Sequence, residues 1–101
     1  MANLLFSIPN GGKRDIKIAM TMKREGVRPG VSDLLLMKRT TTHSALWIEM
    51  KSPGNKLRPN QLEFQQDALN EGFAVGKAET IEEFQTLIKH YLNTNTNESN
   101  K

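Results

Sequence analysis

Ser32-Asp33-Leu34-Leu35-Leu36-Met37 and Leu46-Trp47-Ile48-Glu49-Met50-Lys51 decide how this chain folds. Both runs are apolar, with charges where a covered strand ought to have none, and the polar segment Lys38–Ala45 (KRTTTHSA) joins them. Two such runs read as an antiparallel hairpin with a long loop. Side chains alternate across a strand, so Leu46, Ile48 and Met50 point one way and Trp47, Glu49 and Lys51 the other. Glu49 and Lys51 therefore share a face, about 6–7 Å apart. Closing the hairpin symmetrically through Lys38–Ala45 places Asp33 opposite Glu49 or Met50. The register that pairs Asp33 with Glu49 puts both carboxylates on one face, with Cβ atoms roughly 4.5–5.5 Å apart.

Upstream, Leu4–Ile8 reads as a strand that enters the tight loop Pro9-Asn10-Gly11-Gly12. Asp15–Glu25 has helical composition, with Ile16, Ala19, Met20 and Lys23 on one stripe, and Gly26 stops it. Val27–Val31, with Pro29 and Gly30, is a turn. Downstream, Ser52–Arg58 is a loop, and a helix spans Pro59–Glu71 with proline in its first turn and Gly72 after it. Its sheet-facing stripe is Gln61, Phe64, Ala68 and Leu69. Phe73–Ala78 is a further strand. Thr80 and Glu83 form a capping box for a last helix with Ile81, Phe84, Leu87, Ile88 and Tyr91 on one face. The polar tail from Asn93 has nothing to bury and is expected to be disordered, which sets a folded domain at 1–92 and a tail at 93–101. The element order gives an α/β sandwich with a central mixed sheet flanked by helices.

The 101 residues make one domain with a modest core. A net charge of +3 favours a polyanionic partner, though weakly. Cysteine is absent, which excludes disulfides and thiolate metal sites and suits an intracellular protein. The two histidines, His43 and His90, are too far apart in sequence to form a zinc-ligand cluster. No apolar run approaches the ~20 residues of a membrane span, and the N-terminus lacks the charged lead of a signal peptide.

Burying Asp33, Glu49 and Lys51 together needs compensation. A divalent cation supplies it. Carboxylate oxygens are hard ligands for Mg²⁺, which keeps several waters and also takes phosphate oxygens. Two carboxylates with an ammonium beside them therefore suit metal-assisted phosphodiester hydrolysis. The metal lowers the pKa of a water, and Lys51 orients that water or neutralises charge on the phosphoryl oxygens. The backbone carbonyl of Met50 can complete the coordination. Without Asp33, an acid and a lysine two apart on a strand are usually an ordinary solvated ion pair. Gln61 faces the sheet near this site, where its amide either reaches the carboxylates or a phosphate, or simply bonds backbone at the helix start. Among the many basic residues, Lys13-Arg14 and the pair Lys56 and Arg58 are the candidates for phosphate contacts, with Asn10-Gly11-Gly12 able to present backbone N–H groups.

These residues resemble a known family. Gly30-Val31-Ser32-Asp33-Leu34, Trp47-Ile48-Glu49-Met50-Lys51, Gln61 before a helix ending at Gly72-Phe73, and the upstream FSIPNGGKR are similar to the virus-type replication-repair nuclease (VRR-NUC) domain. That family belongs to the PD-(D/E)XK nuclease superfamily. The resemblance implies a restriction-endonuclease-like sandwich and Mg²⁺- or Mn²⁺-dependent DNA cleavage. It implies metal ligation by Asp33, Glu49 and the Met50 carbonyl, catalysis by Lys51, and a site role for Gln61. Stand-alone members of the family are associated with branched DNA and Holliday junctions, and a chain of this kind looks phage-like, so its compartment would be the host cytoplasm. Two departures stand out. Ser32 replaces the usual proline before the acid. The family's glutamate on a helix before the first strand has no counterpart, since neither Asp15 nor Glu25 sits where it belongs.

The expected activity is a structure-specific endonuclease that resolves four-way junctions, with no small-molecule cofactor and no membrane partner. The alternatives are a non-catalytic DNA-binding module of the same fold, favoured by the missing glutamate, and a flap or nicking nuclease. One small domain holds one site and makes one cut, whereas a junction needs two, so a two-fold homodimer is expected. Leu5, Phe6 and one of Met20 and Met22 are candidates for its apolar surface.

Overall fold

The computed structural model describes residues 2–9 and 28–99, with side chains described for 3–9 and 28–93. The expected helix Asp15–Glu25, the Asn10-Gly11-Gly12 loop, Lys13, Arg14, Met20 and Met22 lie outside the described residues. A short 3₁₀ turn, Ala2–Leu4, leads into strand β1 (Leu5–Ser7). Then come β2 (Leu34–Leu36), β3 (Leu46–Met50), helix α1 (Pro59–Asn70), β4 (Ala74–Ala78) and helix α2 (Ile81–Ser99). The four strands form one sheet in the order β1-β2-β3-β4. The first two pairings are antiparallel and the last is parallel, so the sheet is mixed. The architecture is the α/β class read from the sequence.

The hairpin register pairs Leu34 with Ile48, Leu35 with Trp47 and Leu36 with Leu46. Continued by one residue, it places Asp33 opposite Glu49. One sheet face carries Leu36, Leu46 and Ile48, each no more than 1% exposed. Burying such side chains stabilises the fold by roughly 1.5–3 kcal/mol each. Helix α2 covers this face with Phe84, Leu87, Ile88, Leu92 and the buried Tyr91. The Tyr91 hydroxyl donates to the Lys38 carbonyl at 2.6 Å, tying α2 to the hairpin. Gly76 lets the helix come close, since a Cβ there would stand 2.6 Å from both Leu87 methyls.

The opposite face carries Trp47, which packs edge-on against Phe64 of α1 at 5.0 Å and Phe73 at 6.3 Å. Proline at its first position fixes φ for α1 without losing a needed donor. Gly72, at φ +90°, ends it. The Gly72 N–H donates to the Leu69 carbonyl and the Phe73 N–H to that of Ala68, a paired closure that satisfies two orphan carbonyls and turns the chain into β4. β3, α1 and β4 thus form a crossover unit, and the N-terminus of α1 returns to the carboxyl ends of the two parallel strands.

Several details differ from the sequence reading. Gln61, Phe64 and Ala68 are buried as expected, but Leu69 is 47% exposed. It lies ~100° around the helix from Ala68, outside the narrow stripe this sheet covers. Ile81, 63% exposed, is also off its helix's packed stripe, because it opens the first turn beyond the end of β4. Helix α2 continues to Ser99 rather than stopping at Leu92, and no glycine or proline interrupts that stretch. Its start follows the capping box with one shift. Thr80 Oγ1 accepts the Glu83 N–H at 3.0 Å, while Glu83 reaches the N–H of Glu79, not that of Thr80.

Candidate active site

Glu49 is the only acidic residue among the buried described ones, at 4% exposure. β3 holds it because its neighbours Ile48 and Trp47 are anchored on opposite faces. Asp33 stands just before β2, and three contacts fix it there. Its carbonyl accepts the Ile8 N–H at 2.7 Å. Its Oδ2 accepts the Met50 N–H at 2.9 Å. Its carboxyl faces that of Glu49 closely enough to act on it. Burial, the side-chain contact with Asp33 and the charge of Asp33 together raise the Glu49 pKa from 4.5 to about 7, against the opposing charges of Lys51 and Arg58.

Two carboxyl groups in contact share a proton or share a cation. The donor set fits a hard divalent ion: two carboxylates from adjacent strands, with the backbone of Met50 between Glu49 and Lys51. Among the described residues no group of three or more His, Cys, Asp or Glu side chains gathers. Two acids and one carbonyl leave most positions of a Mg²⁺ shell to water and phosphate, as that ion prefers.

The segment that delivers Asp33 is pressed against the first turn of α1. Gly30 has φ +86°, and a Cβ on it would lie 2.4 Å from the Asn60 carbonyl oxygen. Ser32, just before the acid, is 1% exposed. Arg28 is engaged at the start of this segment. Its guanidinium meets Asp67 at 2.7 Å and Glu63 at 3.7 Å, and lies 5.3 Å from the centre of the Phe64 ring. It works as a strap to α1.

Gln61 is 5% exposed, and its Oε1 accepts the Arg58 N–H at 2.7 Å. Its carbonyl therefore caps α1, the backbone-bonding alternative of the sequence reading, and so sets where Arg58 stands. Arg58 is exposed yet near enough to act on Glu49, whereas Lys56 is exposed in the preceding loop. Lys51 is half-buried on the Glu49 face, its N–H bonded to the Ala78 carbonyl. Asn10, Lys13 and Arg14 lie outside the described residues. Lys38 and Arg39 line a shallow cavity with Thr40 and Thr41 at the hairpin tip, the other end of the sheet from the carboxylates. Sequence reasoning missed the Met50 N–H on Asp33 and the steric role of Gly30. Only the Pro29-Gly30 pair hinted at the second.

The family model of the VRR-NUC domain matches residues 2–80, which holds every acid, lysine and amide just described. The chain belongs to the VRR-NUC family. A solved structure described as a VRR_NUC domain protein superposes on it with a TM-score of 0.77 at 25% identity, covering 90% of this chain and 69% of that one. No curated protein matches the chain significantly. As a VRR-NUC domain it has a nuclease-type fold, and its acid pair, lysine and capping glutamine fall inside the matched region.

Proposed function

We propose that this VRR-NUC domain is a Mg²⁺- or Mn²⁺-dependent endonuclease that cuts phosphodiester bonds in branched DNA and, as a homodimer, resolves four-way junctions. The observation that carries the nuclease reading is the contact between Asp33 and the buried Glu49, with Lys51 on the same face. Asp33, Glu49 and the Met50 carbonyl hold the ion. Once bound, it supplies an acidified water and stabilises charge on the phosphate oxygens. Lys51 orients the attacking water or neutralises the same charge. Asp33 keeps one oxygen on the Met50 N–H, so its carboxyl plane is set before any ligand arrives. Gln61 acts through Arg58 as a positioning residue. Arg58 and Lys56 meet phosphates flanking the cut, with Asn10, Lys13 and Arg14 extending that contact.

One observation favours a second reading. Only two acidic residues meet at the site among the described residues, and a DNA-binding module that had lost turnover would also lack a third. Incubating the full chain with linear duplex, flap and four-way junction DNA, with Mn²⁺ and with EDTA, separates the two. Metal-dependent cleavage favouring the junction is expected. Binding without cleavage at any Mn²⁺ concentration supports the second reading, and equal cleavage in EDTA overturns the first.

A further inference from the structure

We propose that Lys77 is an additional substrate contact at this site, taking a phosphate of the DNA beside the Asp33–Glu49 pair, and that Glu79 holds its ammonium until DNA arrives. The proposal rests on the nuclease reading and adds a residue outside the family motif. The parallel register pairs Lys77 with Glu49. Paired residues of neighbouring strands project from one face, and the strands lie about 4.8 Å apart, so Lys77 is rooted one strand away from the buried carboxylate. It is the sole charge in β4, whose other residues are Ala74, Val75, Gly76 and Ala78. β4 ends the sheet, so no described strand lies beyond it.

The Lys77 ammonium is exposed and sits 3.5 Å from Glu79 Oε2. Among the described residues, Lys51 and Arg58 are the cations that act on Glu49. Lys77 is instead paired along its own side of the sheet, with the acid two positions further on. An exposed ion pair of this length is weak, because solvent screens it. A phosphodiester brings a full charge to the same ammonium at little cost in broken bonds. Lys51 just past β3, Arg58 at the N-cap of α1 and Lys77 on β4 would then bracket the carboxylates from three sides. A lysine on an outer strand also discourages edge-to-edge pairing. That duty needs a charge of either sign, whereas a phosphate contact needs a positive one.

The test is DNA binding by the full chain, read as fluorescence anisotropy of a labelled duplex and a labelled four-way junction across a salt series. It is run in EDTA and again with Ca²⁺, and paired with steady-state cleavage in Mn²⁺. Lys77→Gln is expected to weaken binding severalfold and to lower the slope of log affinity against log salt by about 0.9, one phosphate's worth. Lys77→Arg should restore both, and Lys77→Glu should weaken binding further. Glu79→Gln should tighten binding. In cleavage, Lys77→Gln should raise KM while kcat holds. Lys89→Gln, on the exposed side of α2, controls for net charge. Unchanged affinity and slope in Lys77→Gln, or equal losses in Lys77→Gln and Lys89→Gln, overturn the proposal while wild-type cleavage leaves the nuclease reading intact. A wild-type chain that neither binds nor cleaves DNA overturns both.

Discussion

At Glu49, burial and a neighbouring acid push in the same direction. Its pKa in the folded chain, about 7, lies above the 4.5 of an ordinary glutamate. Between those values the folded chain holds a proton that the unfolded chain has released. Stability therefore falls as pH rises through this window, by up to about 3 kcal/mol in all. In EDTA the wild-type melting temperature should drop between about pH 5 and pH 8, and Glu49→Gln, which mimics the protonated acid, should drop less. Mg²⁺ added near pH 8 should recover the wild type and leave Glu49→Gln unmoved. Parallel pH profiles for the two proteins would contradict this. Asp33 behaves differently, because its Oδ2 also serves the Met50 N–H. Asp33→Asn keeps an acceptor there, whereas Asp33→Ala strands a part-buried donor at a cost of ~1–3 kcal/mol. Both should abolish metal-induced stabilisation, and only the alanine should melt early; two variants melting together would remove the structural duty from this oxygen. Lys51→Ala should keep metal binding and lose at least about 10²-fold in kcat. Normal turnover would leave Lys51 as a salt-bridge partner only.

At the scale of the elements, the site depends on how the Gly30–Asp33 segment meets the start of α1. Gly30 and Gly54 both have positive φ, but a Cβ at Gly54 would meet nothing within 4 Å. The difference between Gly30→Ala and Gly54→Ala thus isolates the clash with Asn60. Gly30→Ala should be the costlier by ~1–3 kcal/mol in denaturant melts, and should also weaken metal binding by moving Asp33. Matching losses in the two variants would mean that backbone strain alone matters. This contact also marks where sequence reading runs out. The alternation in Trp47-Ile48-Glu49 shows which face carries the acids, and Gly72 and Thr80 mark helix ends through local chemistry. The hairpin register was legible to within one residue, because apolar pairs on both strands must share a face. The approach of Gly30 to Asn60, the bond from Met50 to Asp33 and the exposure of Leu69 join segments distant in sequence or depend on how much of a helix a sheet covers. No local pattern encodes them. Gln61 was visible as a buried polar residue, but its partner, the Arg58 N–H, was not.

For the whole molecule, the proposed dimer is the prediction with most at stake. A single domain offers one acid pair, and a junction presents two symmetry-related strands. Phe6 and Met37, 39% and 54% exposed, are apolar residues left open at the β1–β2 end of the sheet. Sedimentation at micromolar concentration should give twice the 11.4 kDa of the chain, and paired cuts in a four-way junction. An 11.4 kDa species that only nicks the junction would confine the domain to single-strand cleavage.

The hairpin tip invites a different use of this fold. Thr41 and Thr42 are exposed at the end of the sheet remote from the acid pair. Exposed polar tips are where chains best tolerate a break. A break between them leaves Asp33 on one fragment and Glu49, Lys51, Arg58 and Gln61 on the other, joined across β2 and β3. Neither fragment owns both carboxylates, so on the proposed reading each should be inert alone. On the proposed nuclease reading, fusing them to two proteins that meet should give a conditional nuclease, with DNA cleavage reporting the encounter.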